Sequence, residues 1–233
     1  MIPWELLGKA RVPGNGGELR LYKRGNEFSI RVDGHELMNS SRHGSEDALA
    51  ELACERFAGR AGACVLIGGL GMGFTVAAAL KRLGRDCRII VAEIVPEVIE
   101  WNRGPLSALA NNPVRDRRVT LLAADVAGLI WAGRLTYDAI LLDVDNGPEG
   151  LTRKDNDQLY SANGLGKALR ALRPGGVLAV WSATANDGFA QRLKMAGFMV
   201  EEKSVRARGS SGGSRHTVWI AQAGPQERIG AVK

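Results

Sequence analysis

Five short apolar runs, separated by segments with helical spacing, constrain the fold of this chain more than any other feature. In sequence order they read CVLIGG, CRIIVAEI, RVTLLAAD, YDAILLDV and GGVLAVWSA. Apolar runs of this length, bounded by turn residues, are typical of strands buried on both faces of a parallel sheet. Helices are predicted between and before them at 45–58, 74–82, 96–101, 126–130 and 164–172. The alternation predicts an α/β domain with a doubly wound, mostly parallel sheet.

The two ends of the chain have a different pattern. The stretch ELRLYKRGNEFSIRVDGHELM alternates apolar and polar residues, with turns at Gly25-Asn26 and Asp33-Gly34. It predicts a small β-hairpin unit over 1–44, ahead of a larger domain over 45–233. Ser45 is the expected N-cap of the first helix. After a helix in DGFAQRLKMAG, two closing strands joined by GSSGGS must be antiparallel, because parallel strands need a longer crossover.

Composition narrows the class of protein. A hydrophobic share of 45% in 233 residues is enough for a sizeable core. The net charge of +6 is spread over the chain, so a solvated basic surface is favoured over nucleic-acid binding. No secretory signal is expected from MIPWELLGKA, and no apolar run approaches the ~20 residues of a membrane span. Three cysteines without a CxxC pair are interpreted as reduced core thiols of a cytoplasmic protein.

Chemistry-bearing residues follow the first two strands of the predicted sheet, at the edge where ligands bind in such sheets. The first strand leads into Gly69-Leu70-Gly71-Met72-Gly73. Glycines allow a close approach to a ligand and expose N–H groups at the next helix's start, although a tight turn without a ligand is the alternative. Glu93 follows the second strand, where an acid can accept hydrogen bonds from ribose hydroxyls. Its alternative interpretation is a surface acid.

Acids also follow the third and fourth strands. Asp125 is placed to read an adenine edge, to cap the helix from Val126, or to do both. Asp143 ends a buried strand and is followed by Asp145 and Asn146. A carboxylate at such a position is expected to have a perturbed pKa and to accept a proton, with a structural role as the alternative. Four strand ends in register predict a nucleoside-type cofactor with a reactive centre near Asp143.

Three motifs carry a resemblance to a known family. VLIGGLGMGF is similar to the VLxxGGGDGG loop of the spermidine synthase family of polyamine aminopropyltransferases, and YDAILLDVDNGP is similar to its YDxIxxDxxDP loop. LRLYKRGNEFSIRVDGHELM, followed by SSRHGSEDALAELA, resembles the family's N-terminal β unit and its following helix. The resemblance runs from about 19 to 180. It implies a Rossmann-like, class I methyltransferase-like fold with an antiparallel closing strand.

The resemblance also implies a set of site residues. The donor site falls on the first three strand ends, with Gly69, Gly71, Gly73, Glu93, Ile94, Asp125 and Val126. The glycines would line the methionine-derived part of the donor, Glu93 would hold the ribose hydroxyls, and Asp125 would contact the adenine. Asp143 matches the catalytic aspartate that deprotonates or orients the attacking amine.

The chain departs from the family pattern at three places. Met72 stands where the family has an acid for the donor's amine, and Ser45-Glu46-Asp47 stands where it has Tyr-His-Glu. Asp145 lies one position earlier than the family's second loop acid, where Asn146 is found. Either the substrate differs, or other residues replace the missing contacts. The predicted substrate residues are therefore Glu46, Asp47, Asp145 and Asn146.

The first functional hypothesis is aminopropyl transfer from decarboxylated S-adenosylmethionine to a polyamine-type amine, with Asp143 as base and no metal. A methyltransferase using S-adenosylmethionine is the second, and a non-catalytic nucleoside-binding or scaffold protein is the third. A nucleic-acid methyltransferase ranks below these. A diamine enzyme predicts an acidic pocket inside a basic surface. The resemblance implies a homodimer, and neither nucleic acid nor a membrane is an expected partner.

Overall fold

The computed structural model describes residues 2–14, 17–144, 147–148 and 156–224, which begin with a four-stranded antiparallel sheet. Its strands pair in sequence order: β1 (Glu5–Arg11), β2 (Glu18–Arg24), β3 (Glu27–Val32) and β4 (His35–Asn39). The predicted turns join β2 to β3 and β3 to β4. In the second of these, Asp33 and Gly34 both have positive φ, as a tight hairpin turn requires.

The second sheet has seven strands and follows the predicted alternation. Its strands are β5 (Cys64–Gly68), β6 (Arg88–Glu93), β7 (Val119–Ala123), β8 (Tyr137–Leu142), β9 (Leu172–Ser182), β10 (Phe198–Arg206) and β11 (Arg215–Ala223). They lie in the order β10-β11-β9-β8-β5-β6-β7. The strands β5 to β9 are parallel, whereas β11 is antiparallel to both of its neighbours. The predicted fold class is confirmed, including the antiparallel closing pair.

Seven α-helices are described. They are α1 (Gly44–Glu55), α2 (Phe74–Arg82), α3 (Pro96–Arg103), α4 (Val126–Ala132), α5 (Asn156–Tyr160), α6 (Ala162–Ala171) and α7 (Asp187–Met195). The bounds of α2 match the prediction. The helix predicted over 164–172 ends one residue earlier, because Leu172 pairs with Tyr137 as the first residue of β9. No described helix is long and apolar enough to cross a membrane.

The predicted N-cap role of Ser45 is wrong. The residue in the cap position of α1 is His43, which makes no side-chain cap hydrogen bond. Ser45 lies inside the first turn, fully buried, and its hydroxyl bonds to Glu46 and to His216 of β11. A tertiary partner 171 positions away in the sequence has replaced the local capping bond that the sequence suggested.

The core lies on both faces of the large sheet. Within β5, Val65 and Ile67 pack into one hydrophobic cluster and Cys64 and Leu66 into the other. The first cluster also contains apolar residues of the four-stranded sheet, so that sheet packs on the large one. The division of the chain at 44/45 stays a prediction. The three cysteines are buried and unpaired, as the core-thiol interpretation requires.

Candidate active site

A cavity of about 380 Å³ lies at the carboxyl ends of β5, β6 and β8, within the usual range for small-molecule sites. The four-stranded sheet forms its opposite wall, with Leu37, Met38 and Asn39 of β4 lining it. The cavity therefore lies between the two sheets, at the edge that the strand-end analysis predicted.

The glycine loop after β5 is locked to the neighbouring strand ends. Gly69 has φ +87°, and a Cβ there would lie 2.2 Å from the carbonyl oxygen of Asp143, so only glycine fits. Its N–H donates to the Ala92 carbonyl at 2.9 Å, and the Asp143 N–H donates to the Gly68 carbonyl at 3.0 Å. These contacts fix the loop relative to the strands that carry Glu93 and Asp143.

The three predicted loop glycines do not all reach the cavity. Gly69 and Gly71 line it, and the Met38 sulfur lies 3.1 Å from where a Cβ of Gly71 would be. Gly73 is not among the described lining residues. It starts α2 with φ +85°, close to Pro113, so its need for glycine comes from the backbone turn.

Glu93 is buried beneath the loop, with 8% of its surface exposed. One carboxylate oxygen accepts from the Leu70 N–H and the other from the Val95 N–H, both at 2.9 Å. Burial raises the pKa of Glu93, and the backbone hydrogen bonds offset this only in part. Glu93 and the following Ile94 line the cavity. The carboxylate thus orients the glycine loop from beneath.

Asp125 caps α4 at the cavity wall. Its side chain accepts from the Ala127 N–H at 2.9 Å, and Asp125 and Val126 both line the cavity. Val126 packs against Gly68, where an added Cβ would meet its methyl groups at 3.0 Å. The capping role is confirmed, and the adenine contact stays a prediction.

Two acids face the same cavity from different elements. Asp143, after β8, accepts a hydrogen bond from the Thr75 hydroxyl at 2.6 Å, and burial raises its pKa to about 6. Glu46, in the first turn of α1, also lines the cavity. Burial, followed by the charge of Asp143, raises the pKa of Glu46 to about 7. Like charges that share a site oppose each other's ionisation, so the pair keeps a proton to unusually high pH.

The remaining predicted substrate residues are not in the described cavity lining. Asp47 points to His43, whose Nδ1 lies 2.8 Å from its carboxylate, and this hydrogen bond raises the pKa of His43. The His43 ring stacks on Phe74 with a centroid distance of 4.0 Å. Asp145 and Asn146 lie outside the described residues. Of the two acids in the first turn of α1, the structure brings Glu46 to the cavity.

The sequence analysis missed His216 as a residue of the site, and it missed Ser45, which is not in the described lining, as the hydrogen-bond partner of His216. His216 lines the cavity from the start of β11, with Nδ1 2.9 Å from the Ser45 hydroxyl. Its ring meets Trp181 edge to face at 4.9 Å. A signal was available: β11 is antiparallel to its neighbours, so its first residues lie at the same edge as the carboxyl ends of the parallel strands. Trp181, near the carboxyl end of β9, also lines the cavity.

The described lining is rich in carboxylates: Glu36, Glu46, Glu93, Asp125 and Asp143. Arg42 also lines the cavity, but its guanidinium is paired with Glu36 at 2.6 Å. Met72, only 3% exposed, lies where the family pattern has an acid. An acidic cavity in a chain of net charge +6 is the arrangement expected for a cationic ligand. Among the described residues, no cluster of His, Cys, Asp and Glu is arranged to hold a metal ion.

Comparisons with known proteins identify the fold. No family model and no curated protein sequence matches the chain. Solved structures do match. A spermidine synthase from Thermotoga maritima has TM-score 0.74 and 17% identity, over 95% of this chain and 74% of that one. A spermidine synthase in complex with the transition-state analogue AdoDATO has TM-score 0.72 and 16% identity, over 95% and 73%. A probable spermidine synthase from Corynebacterium glutamicum ATCC 13032 has TM-score 0.64 and 14% identity, over 94% and 80%.

Proposed function

We propose that this chain, which has the fold of the spermidine synthases, transfers an aminopropyl group from decarboxylated S-adenosylmethionine to a polyamine-type amine. The observation that carries the proposal is the acidic cavity beside the glycine loop. The donor carries a sulfonium and an ammonium group, and a polyamine carries further ammonium groups. Carboxylates on the wall would favour binding of both cations.

The donor is assigned to the half of the cavity beneath β5, β6 and β7. Glu93 would accept from the ribose hydroxyls, since it lines this half of the cavity at the end of β6. Asp125 and Val126 would border the adenine, and Gly69 and Gly71 would allow the backbone to approach the sulfonium arm. The arm then points towards Asp143, which contacts the loop through its own backbone.

Asp143 is proposed as the base. An alkylammonium ion cannot attack carbon, so the acceptor must first lose a proton to a nearby carboxylate. The freed nitrogen lone pair attacks the carbon next to the sulfonium, the C–S bond breaks, and its electron pair returns to sulfur as a neutral thioether. A carboxylate with a pKa of about 6 is a stronger base than an ordinary aspartate and is still ionised near neutral pH. Holding the amine in line with the carbon supplies the remaining acceleration.

One observation favours a second candidate, methyl transfer from S-adenosylmethionine itself. Met72 offers no charge to the lone amine of the decarboxylated donor, whereas Arg42, although paired with Glu36, places a guanidinium on the cavity wall. A donor that retains its carboxylate would gain from that cation. The two donors differ by one carboxylate, so a direct comparison of their affinities separates the candidates.

Calorimetric titration of the protein with S-adenosylmethionine, its decarboxylated form and methylthioadenosine tests the proposal. Aminopropyl transfer predicts at least a tenfold preference for the decarboxylated donor, about 1.4 kcal/mol, and release of methylthioadenosine when diamines are added. A preference for S-adenosylmethionine, with release of S-adenosylhomocysteine, would support methyl transfer instead. Binding without turnover in the wild type, unaffected by Asp143→Asn, identifies a nucleoside-binding protein. Asp47→Asn is the matched control, because Asp47 lies outside the described lining.

A further inference from the structure

The turn between β10 and β11 is packed onto the start of α1. The Gly44 N–H donates to the Ala207 carbonyl at 2.8 Å, and a Cβ on Gly44 would lie 2.2 Å from the Gly209 nitrogen. The Ala207 N–H donates to the Ser214 carbonyl at 2.9 Å and closes the turn. The first residues of β11 are therefore held at a fixed distance from the first turn of the helix.

A continuous chain of side-chain hydrogen bonds crosses this contact. The Ser45 hydroxyl donates to a carboxylate oxygen of Glu46 at 2.8 Å. His216 Nδ1 lies 2.9 Å from the Ser45 oxygen, and His216 Nε2 lies 3.1 Å from the Ser214 oxygen. The chain begins at an acid of the cavity, passes through the fully buried Ser45, and ends at Ser214, which is exposed.

We propose that Ser45, His216 and Ser214 form a path that carries the amine's proton from Glu46 to solvent. The inference rests on the proposed function, because it needs a reaction that delivers one proton per turnover to the acids. Asp143 takes that proton from the acceptor, and Glu46 receives it within the shared acid pair. The path then returns the pair to its starting state. Glu46 and His216 are thereby assigned roles that neither the fold nor the strand-end residues indicate.

The donors and acceptors of the chain allow this transfer without a charged histidine. When Glu46 is ionised, Ser45 donates to it, His216 donates through Nδ1–H to Ser45, and Ser214 donates to Nε2. When Glu46 is protonated, it donates to Ser45, Ser45 donates to Nδ1, and Nε2–H donates to Ser214, whose hydrogen faces water. Passing from the second state to the first moves one proton from Glu46 to water. His216 changes only its tautomer, and burial, which lowers its pKa, favours the neutral ring.

The charges around the path support this assignment. Asp143 acts on Glu46 and raises its pKa, while His43, just before α1, opposes that shift. On the other side, His216 contacts the neutral indole of Trp181 in β9, and its strand neighbours Arg206 and Arg215 are exposed. Glu46, at the cavity end of the path, is therefore the group that binds a proton near neutral pH.

Nuclear magnetic resonance of the histidine ring nitrogens tests the path without requiring activity. The chain has three histidines, so His216→Asn assigns the His216 signals by their loss. We expect the Nδ1–H tautomer at pH 8 and the Nε2–H tautomer at pH 6, with a midpoint near the pKa of Glu46, about 7. Ser45→Ala and Glu46→Gln should each remove the switch. A single tautomer throughout, or a ring that becomes cationic at this midpoint, overturns the path.

Turnover supplies the second test. His216→Asn keeps an N–H donor near Ser45 but cannot pass a proton between two nitrogens. We expect kcat to fall about 10- to 100-fold with the donor KM unchanged. In His216→Ala, added imidazole should restore kcat as its concentration rises, whereas His35→Ala, exposed in β4, should show no loss and no response. Full turnover by His216→Asn overturns the path. A wild type that transfers nothing to any amine overturns the proposed function instead, and the tautomer switch then still decides the path.

Discussion

The two halves of the cavity are built in different ways. In the half proposed for the donor, backbone groups hold the cavity residues: Glu93 and Asp125 accept from backbone N–H groups, and Gly69 packs on the Asp143 carbonyl. In the opposite half, side chains hold one another, as in the chain from Glu46 through Ser45 to His216. The positions of the backbone-held residues follow from the order of the strands. The positions of the side-chain-held residues depend on contacts between segments that are far apart in the sequence.

The largest expected effect comes from Gly69→Ala, in the backbone-held half. The backbone of residue 69 has φ +87°, which alanine rarely adopts, and the added methyl group would lie 2.2 Å from the Asp143 carbonyl oxygen. The loop would therefore have to move. We expect a loss of several kcal/mol in the free energy of unfolding, or a loss of donor binding of at least 100-fold. Urea unfolding and calorimetric titration measure the two quantities.

The matched control for Gly69→Ala is Gly128→Ala in α4. Nothing lies within 4 Å of a Cβ there, so the substitution should stabilise the helix by up to about 1 kcal/mol. Near-normal stability together with normal donor binding in Gly69→Ala would contradict the close contact between the loop and Asp143.

Asp143→Asn tests the carboxylate that is proposed as the base. An amide keeps the shape and can still accept from Thr75, but it cannot take a proton. We expect kcat to fall by about 10²- to 10⁴-fold, with donor affinity changed only a few-fold. Steady-state kinetics with the best diamine measure this. A comparable loss in Asp47→Asn would show that the effect is not specific to the cavity acids.

Glu46→Gln tests the side-chain-held half through its pH dependence. The pKa of Glu46 is about 7 in the fold against the ordinary 4.5, so folding favours the protonated form. The wild type should therefore lose stability as pH rises from about 4.5 to 7. The variant lacks this loss, so at pH 8 it should be more stable by on the order of 1–2 kcal/mol, with no gain at pH 4.5.

Urea unfolding at the two pH values measures the difference for Glu46→Gln. Glu51→Gln is the control on the same helix. It breaks an exposed ion pair with Arg82 and should cost less than about 1 kcal/mol. A pH-independent effect at Glu46 would mean that its carboxyl group titrates normally.

The smallest effect separates the two roles of Asp125. Asp125→Ala removes the cap of α4 and should cost about 1 kcal/mol in the free energy of unfolding, whereas Asp125→Asn retains a capping oxygen and should cost only a few tenths. If Asp125 also contacts the nucleoside, both variants should bind the donor several-fold more weakly. Unchanged affinity in Asp125→Asn would restrict Asp125 to capping.

The sequence predicted what depends on local periodicity. Apolar runs and the intervening helical segments predicted the sheet, and the strand ends predicted Glu93, Asp125 and Asp143 as cavity residues. The start of α1 could not be predicted this way. Glu46 and Asp47 are adjacent acids, and only the docking of the first turn against β11 decides which reaches the cavity. Ser45 was likewise predicted as an N-cap, because a local sequence pattern cannot indicate its hydrogen bond to His216, 171 positions away.

The contact between Trp181 and His216 also gives the protein an optical property. The Trp181 indole N–H is buried and has no hydrogen-bond partner among the described residues, and the ring borders the cavity. Indole emission responds to new hydrogen bonds and to charged neighbours at this distance. The emission of Trp181 should therefore change when a ligand enters the cavity. Subtracting the fluorescence of Trp181→Phe from that of the wild type isolates this change, which can be recorded in real time. The unlabelled protein thus carries an intrinsic reporter at the cavity wall that Trp181 shares with His216.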